Sequence, residues 1–342
     1  MRQETPPSEA REFCRRLLPR VSRTFAINIE LLNEPLREPV RTAYLLCRAA
    51  DALEDSWPGA PGEIQGRFAA LGRVLGGDVE AAESLAAGAR RLGGSGADLA
   101  LLSDLPKILV AYGTLPEEDR SAIATGVGTM AAGMSRYSAR AAGRAPGACY
   151  VDDEDELHDY CWVVAGCVGV MLTQLLERRL GPGPDPLRER RREAAPIVGE
   201  ALQLTNILLD WPSDVRKGRC YLPASWLARH GLAPADLANP ARPEAREIAL
   251  RLEALAHAAL DRVPDYLETI PPRHVRYRLF CLWPALWARA SLRIAHRDPE
   301  FPWSARRPRI TRGELWSAAA RSLLVAHSHR GVRRLLAGGA SS

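Results

Sequence analysis

Apolar residues recur at helical spacing along nearly all of the 342 residues, and no run alternates apolar and polar side chains as a half-buried strand would. Such a chain buries its apolar stripes by packing helix against helix. Helices are expected near 8–18, 24–33, 36–56, 62–75, 97–113, 116–140, 153–180, 187–216, 243–269, 273–297 and 312–336. Gly- and Pro-rich breaks separate them at Pro58–Gly62, Gly93–Gly96, Gly181–Pro186, Pro234–Pro243 and Asp298–Pro308. None is a long linker, and no repeat of roughly 20–50 residues is evident. The expected fold is all-α, a single domain over 1–342. Its core would lie at about 8–297, with a basic helical C-terminal segment at about 305–336.

Two helices are apolar on nearly every face, which places them inside a large protein. One carries Ala43, Leu45, Leu46, Cys47, Ala49, Ala50 and Leu53; the other runs from Val163 to Leu176. The longest apolar run, Cys161 to Leu172, is shorter than the roughly 20 residues a membrane-spanning helix needs. Residues 1–10 are polar and lack the apolar stretch of a signal peptide. At 46% hydrophobic and 25% charged the chain is neither disordered nor collagen-like nor a multi-span membrane protein. A net charge of +5 points to phosphates, nucleic acid or an anionic membrane surface as partners. The seven Cys are scattered, with no CxxC pair, so reduced thiols in a cytoplasm are expected.

Polar stripes on apolar helices need an explanation. Tyr44, Arg48, Asp51 and Asp55 project from one face of one helix, with Glu54 beside the last. An unpaired carboxylate on a buried helix is costly, so a cation is expected there. A divalent cation such as Mg²⁺, held by one or two carboxylates and substrate phosphates, fits. The alternative is a solvated helix end with Arg48 paired to Asp51. Gln203, Asn206, Asp210 and Asp214 repeat the pattern on a second helix. Facing each other across a cavity, the two stripes would cage a metal–diphosphate cluster. Lys217, Gly218 and Arg219 follow, a glycine between two cations that suits a loop folding over phosphate.

With these residues the chain resembles the squalene/phytoene synthase family of head-to-head prenyltransferases. Ser22-Arg23-Thr24-Phe25 is similar to the N-terminal motif of that family, and Cys47 to Asp55 to its first aspartate-rich motif. Tyr160-Cys161-Trp162-Val163-Val164-Ala165-Gly166 resembles the central helix. Gln203 to Asp214, with Gly218-Arg219-Cys220-Tyr221-Leu222-Pro223, resembles the second motif and its flap. Three positions depart from the pattern: Leu209 stands in place of an Arg, Ser213 in place of an acid, and Pro212 lies between the aspartates, where it should kink the helix. Leu53-Glu54-Asp55, Arg278-Leu279-Phe280-Cys281 and Pro284 are similar to squalene synthases, particularly the bacterial ones. Arg309-Ile310-Thr311-Arg312-Gly313 faintly resembles the basic turn that meets a nicotinamide cofactor there; a plain surface patch is the alternative. Ala285, where eukaryotic squalene synthases carry Gln, points away from that branch.

The resemblance implies an isoprenoid-synthase-type bundle around a large central apolar cavity. It implies Mg²⁺ on Asp51, Glu54, Asp55, Asn206, Asp210 and Asp214. Ser22, Arg23, Phe25, Arg48, Gln203, Asn206, Lys217, Arg219 and Tyr221 would contact allylic isoprenoid diphosphates. Tyr44 and Tyr160, with the four aspartates, would serve catalysis. The implied reaction joins two farnesyl diphosphates through presqualene diphosphate to squalene, with NADPH met by Arg309 and Arg312. The alternatives are phytoene synthesis from geranylgeranyl diphosphate, or release of presqualene diphosphate without reduction. A monomeric cytoplasmic enzyme, peripheral at a membrane through its basic C-terminal segment, is expected.

Other features carry blander expectations. Asp152 to Glu156 reads as the acidic start of a helix. Arg188 to Arg192 reads as an exposed charged face and not a nucleic-acid patch, since no RNA-binding or zinc-finger signature accompanies it. Cys161 and Cys167 read as small core residues, His158 as structural, and His327 and His329 as surface residues.

Overall fold

The structure, a computed structural model, describes residues 6–93, 96–180, 185–304 and 306–337. Among the described residues all regular structure is helical, apart from one isolated parallel β-bridge between Cys149 and Cys220. The backbone packs as two compact units. The first takes Met1–Ala139 and Val170–Pro182; the second takes Arg140–Gly169 and Gly183–Ser342.

The first unit contains α1 (Pro7–Val21), α2 (Arg23–Glu30), α3 (Arg37–Asp55), α4 (Pro61–Leu75), α5 (Val79–Arg91), α6 (Ala97–Ser103), α7 (Leu105–Gly113) and most of α8 (Glu117–Ala142). Its core is aliphatic, with Leu45, Leu46, Leu53, Leu71, Leu101 and Leu102 fully buried. Helix α5 was not expected from periodicity. Ala81, Ala82, Leu85, Ala86 and Ala89 form its buried stripe, and Asp78 caps it by accepting from the Ala81 amide at 2.9 Å. Alanine carries so little hydrophobic contrast that the stripe is faint in the sequence.

The second unit contains α9 (Glu154–Cys161), a π-turn over Trp162–Gly166, and the start of α10 (Cys167–Leu180). It continues with α11 (Asp185–Ala194), α12 (Pro196–Arg216), α13 (Ala224–Arg229) and a 3₁₀ turn at Pro234–Ala238. It ends with α14 (Glu244–Asp261), α15 (Val263–Glu268), α16 (Val275–Arg297), α17 (Arg312–Val325) and α18 (His329–Ala337). Helix α12 lies against α14, α16 and the π-turn. Several expected long helices are split. Pro196 and Pro264 sit in the first turns of α12 and α15, where proline is tolerated, and the preceding helices stop just before them. Pro212 does not end α12, which stays helical through it.

The helical stretch Glu154–Leu180 spans 27 residues, so it is longer than its apolar run suggested. By length and composition it could cross a membrane, but 56% of its apolar window is buried inside the protein. A Cβ at Gly169 would lie 2.2 Å from the Ala195 carbonyl oxygen, so glycine lets α10 approach that backbone. Farther along α10, Arg179 donates to the fully buried Asp119 at 2.8 Å. Cys161 and Cys167 are buried, as expected. Asp153 caps α9 by accepting from the Glu156 amide at 2.9 Å, which accounts for the acidic run.

Arg191 and His329, expected to be exposed, are internal, and so is Arg278. Arg191 is 5% exposed and donates to the Thr269 carbonyl at 2.7 Å, so the basic face of α11 is only partly solvated. His329 is half-buried, with Nδ1 3.3 Å from Arg278, and is not a surface residue. Arg278 is fully buried and donates to the carbonyls of Leu267, Ile270 and Ala326 at 2.6–2.8 Å. Those bonds occupy Nε and Nη1, leave the buried Nη2 without a hydrogen-bond partner, and tie α16 to the end of α15 and to the turn between α17 and α18.

Candidate active site

The first stripe lies on α3 in the first unit. Ser22 ends α1 in extended backbone and caps α2, accepting from the Phe25 amide at 3.3 Å. That cap turns the N-terminal motif onto α3: Phe25 stacks on Tyr44 with centroids 5.1 Å apart, and Ser22 hydrogen-bonds the Tyr44 hydroxyl. Burial pushes the Tyr44 phenol upward, so it stays protonated at neutral pH. Arg23 is exposed at the start of α2.

One turn further along α3, Arg48 reaches Asp51 at 3.4 Å. Its stronger partner was not anticipated. Asp98, in the first turn of α6, accepts from Nε at 3.0 Å and Nη2 at 2.9 Å, and from Ser56 Oγ at 3.1 Å. Burial works against the Arg48 charge, but Asp51 and Asp98 outweigh it and raise its pKa. Burial, with Asp55 nearby, pushes the Asp51 carboxyl up to about 7 even though Arg48 pulls it down. In sequence Asp98 is one acid at a helix start after a Gly-rich break, and nothing marks it as a partner of α3.

The second stripe lies on α12 in the second unit. Gln203 and Asp210 are half-buried, Asn206 is exposed, and Leu204, Ile207, Leu208 and Leu209 around them are buried. Arg307 reaches this stripe, 3.0 Å from Asp210 Oδ1 and 3.2 Å from Asn206 Oδ1. The chain before it is anchored: Arg216 donates to the Trp303 carbonyl at 2.5 Å, and Arg246 to those of His296 and Asp298. Arg309 and Arg312, the expected nicotinamide contacts, are exposed. Arg307 is thus a site residue that the sequence reading passed over inside its own basic segment.

The loop after α12 turns at Gly218, whose φ of +72° few other residues adopt. The Arg219 amide donates to the Asp214 carbonyl at 2.8 Å. Tyr221 then stacks on Tyr160 with centroids 5.1 Å apart and meets Tyr150 in a tilted contact at 4.6 Å. Lys217 is exposed and Tyr160 is buried. Tyr160 directly precedes Cys161 and the π-turn, a helix defect often found at functional sites.

Among the described residues no three His, Cys, Asp or Glu side chains converge on a preformed metal cage. The donor set is nevertheless suited to Mg²⁺, which takes one or two carboxylates and fills its shell with phosphate and water. The raised Asp51 carboxyl is the observation that supports this fit, since a divalent cation would relieve its burial beside Asp55.

The fold is all-helical, and each of its two units carries one aspartate stripe. The sequence profile of the squalene/phytoene synthase family matches residues 18–314, and the chain belongs to that family. It is 28% identical over 301 residues to squalene synthase of Homo sapiens, covering 86% of this chain but 65% of that one. The chain therefore spans just under two thirds of the length of that relative. It is 29% identical over 280 residues to 15-cis-phytoene synthase of Synechococcus elongatus, covering 76% of this chain and 74% of the other. The solved structure of TcSQS with a bound ligand has the same fold, with a TM-score of 0.78 at 24% identity over 97% of this chain and 90% of that one.

Proposed function

We propose that this protein is a Mg²⁺-dependent head-to-head prenyltransferase that joins two farnesyl diphosphates through presqualene diphosphate to squalene, with NADPH as co-substrate. The observation that carries this reading is the pair of aspartate stripes, each met by a guanidinium, in a chain of this family. Asp51, Glu54 and Asp55 in the first unit, and Asn206, Asp210 and Asp214 in the second, would hold metal, which when bound draws charge from the departing diphosphate. Arg23, Arg48, Lys217, Arg219 and Arg307 share that charge. The rings of Phe25 and Tyr44 in the first unit, and of Tyr160 in the second, would stabilise an allylic cation left after ionisation.

In the first step carbon–carbon bond formation expels one diphosphate, and a proton leaves as the cyclopropane closes. A tyrosine or the released diphosphate accepts it. In the second step the remaining diphosphate leaves, the ring opens and hydride from NADPH ends the cation. Glu54 before Asp55 favours this product, as does the Phe280-Cys281 segment with Pro284. Ala285 and the 29% identity to a phytoene synthase support the second readings, geranylgeranyl diphosphate as substrate or release of presqualene diphosphate. Product analysis from the C15 and C20 diphosphates with Mg²⁺, with and without NADPH, tests all three. Squalene that appears only with NADPH supports the main reading. A product unchanged by NADPH refutes the reductive step, and turnover of the C20 substrate alone moves the protein to phytoene synthesis.

The enzyme is proposed to act as a cytoplasmic monomer that touches an anionic membrane through its C-terminal helices. Trp316, Leu323 and Leu324 are exposed on α17, which also carries the exposed Arg312 and Arg321 and follows the exposed Arg309.

A further inference from the structure

Two thiols outside the aspartate stripes meet beneath the 218–223 loop. Cys149 and Cys220 are 71 positions apart, yet their sulfurs lie 3.7 Å from each other. They are 6% and 2% exposed. The backbone holds them there through the parallel bridge and a bond from the Tyr150 amide to the Cys220 carbonyl at 2.7 Å. The alignment continues as Ala224 donates to Val151 at 3.0 Å and Ser225 to Asp152 at 2.9 Å. A disulfide needs about 2.05 Å between sulfurs, so closure asks for less than about 2 Å of relative movement.

The two thiols are not equivalent. The hydrogen bond between the two sulfurs, with help from the Arg144 guanidinium, lowers the Cys149 pKa against its burial. The same bond and burial raise that of Cys220. Arg144 stands on the Cys149 side of the pair, donating to the Cys149 carbonyl at 2.7 Å, which favours Cys149 as the attacking sulfur and Cys220 as the resolving one.

We propose that Cys149 and Cys220 form a reversible disulfide that repositions the 218–223 loop, with a small hydroperoxide as oxidant. The Cys149 thiolate attacks hydrogen peroxide; an S–O bond forms, the O–O bond breaks and hydroxide leaves to be protonated. Cys220 then attacks the sulfenic sulfur; the S–S bond forms, the S–O bond breaks and water departs. Two thiols lose two electrons and two protons, and one peroxide becomes two waters. Burial of both sulfurs excludes bulky disulfide oxidants, which is why the oxidant is small. A small dithiol such as dithiothreitol reverses the bond by exchange.

Cys220 lies between Arg219 and Tyr221, so drawing it toward Cys149 moves both. The effect on turnover rests on the proposed function, in which these residues contact substrate. A displacement of about 1 Å at such positions can cost up to ~100-fold in rate.

The test treats the full purified chain with hydrogen peroxide, then follows intact mass, non-reducing peptide maps and turnover of farnesyl diphosphate. The expected result is a loss of about 2 Da and a linked Cys149–Cys220 peptide. Turnover should fall roughly tenfold, and dithiothreitol should restore both mass and rate. Cys149→Ser should keep basal turnover and resist the treatment; Cys149→Ala gives the same comparison if the buried hydroxyl disturbs folding. Absence of the linked peptide, or Cys149 oxidised only to sulfinic acid, overturns the disulfide. A linked peptide with unchanged turnover overturns the repositioning. A chain inactive on farnesyl diphosphate even when reduced would refute the proposed function instead, and the mass measurement would still decide the disulfide.

Discussion

Arg48 grips both carboxylate oxygens of Asp98 with Nε and Nη2, at 3.0 and 2.9 Å, while its Nη1 touches Asp51 at 3.4 Å. The fork geometry makes Asp98 the side chain that aims Arg48 along α3. Asp98→Asn keeps the shape and removes the charge that holds the fork. The expected outcome is a folded protein whose kcat/KM for the diphosphate substrate falls roughly tenfold, about 1.4 kcal/mol. The loss should appear mainly in KM, because Arg48 would be mispositioned and not removed. Steady-state kinetics beside a melting curve checks this, and an unchanged KM would show that Asp98 serves only the fold.

Arg307 occupies the second stripe much as a metal ion would, with its guanidinium on Asp210 and Asn206. At 41% exposure its pairing is partly screened and worth at most about 1 kcal/mol. In the absence of diphosphate it competes with a cation for the same oxygens. Arg307→Gln should therefore bind Mg²⁺ roughly two- to fivefold more tightly by titration calorimetry. It should also bind inorganic diphosphate less well, having lost a donor. Equal Mg²⁺ affinity in the two proteins would mean that Arg307 and the metal do not share ligands.

The contrast between Asp51 and Asp98 shows what the sequence made legible. Asp51 stands out because a carboxylate on an otherwise apolar helix has to be explained, and its i, i+4 partner Asp55 lies within one turn. The same logic found Asp210, and in both stripes local spacing fixes which face the side chains share. Asp98 and Arg307 are long-range partners, 50 and 97 positions from Arg48 and Asp210, and helical period carries no information about which helices meet. Helix α5 was missed for a different reason, since its buried stripe is almost all alanine. The π-turn at Trp162–Gly166 adds one residue to a turn, which no hydrophobic pattern encodes.

The C-terminal helices offer an apolar face with little cover. Trp316, Leu323 and Leu324 are 56%, 55% and 75% exposed, and their spacing puts them on one side of α17. If this face meets a membrane, Leu324→Glu should reduce co-sedimentation with anionic phosphatidylglycerol vesicles several-fold, since it removes apolar contact and adds a repelling charge. Melting temperature should change little because Leu324 packs against almost nothing. Equal binding of the two proteins would remove the membrane contact.

Asp51 makes the metal-free protein sensitive to pH. Its carboxyl is shifted from the ordinary 3.8 to about 7 by burial and by Asp55. A carboxyl with a raised pKa binds its proton more readily in the folded chain than in the unfolded one. Its contribution to stability is therefore complete below about pH 3.8 and is lost as pH rises through about 7. The side chain keeps 32% of its exposure, so water screens the charge and the whole shift is not recovered as folding energy. Without metal, the Asp51 contribution should lower the melting temperature between pH 5 and pH 8. Asp51→Asn removes the ionisation; it should flatten that slope and raise stability at pH 8 by about 1 kcal/mol, roughly 2 °C. Mg²⁺ with inorganic diphosphate should stabilise the parent at pH 8 and have less effect on the variant, whose first stripe lacks one charge. Turnover should be abolished in Asp51→Asn and likewise in Asp210→Asn. A variant that melts lower than the parent at pH 8, or that keeps parental turnover at saturating Mg²⁺, would show that Asp51 is a structural partner of Arg48 and not a ligand waiting for its cation.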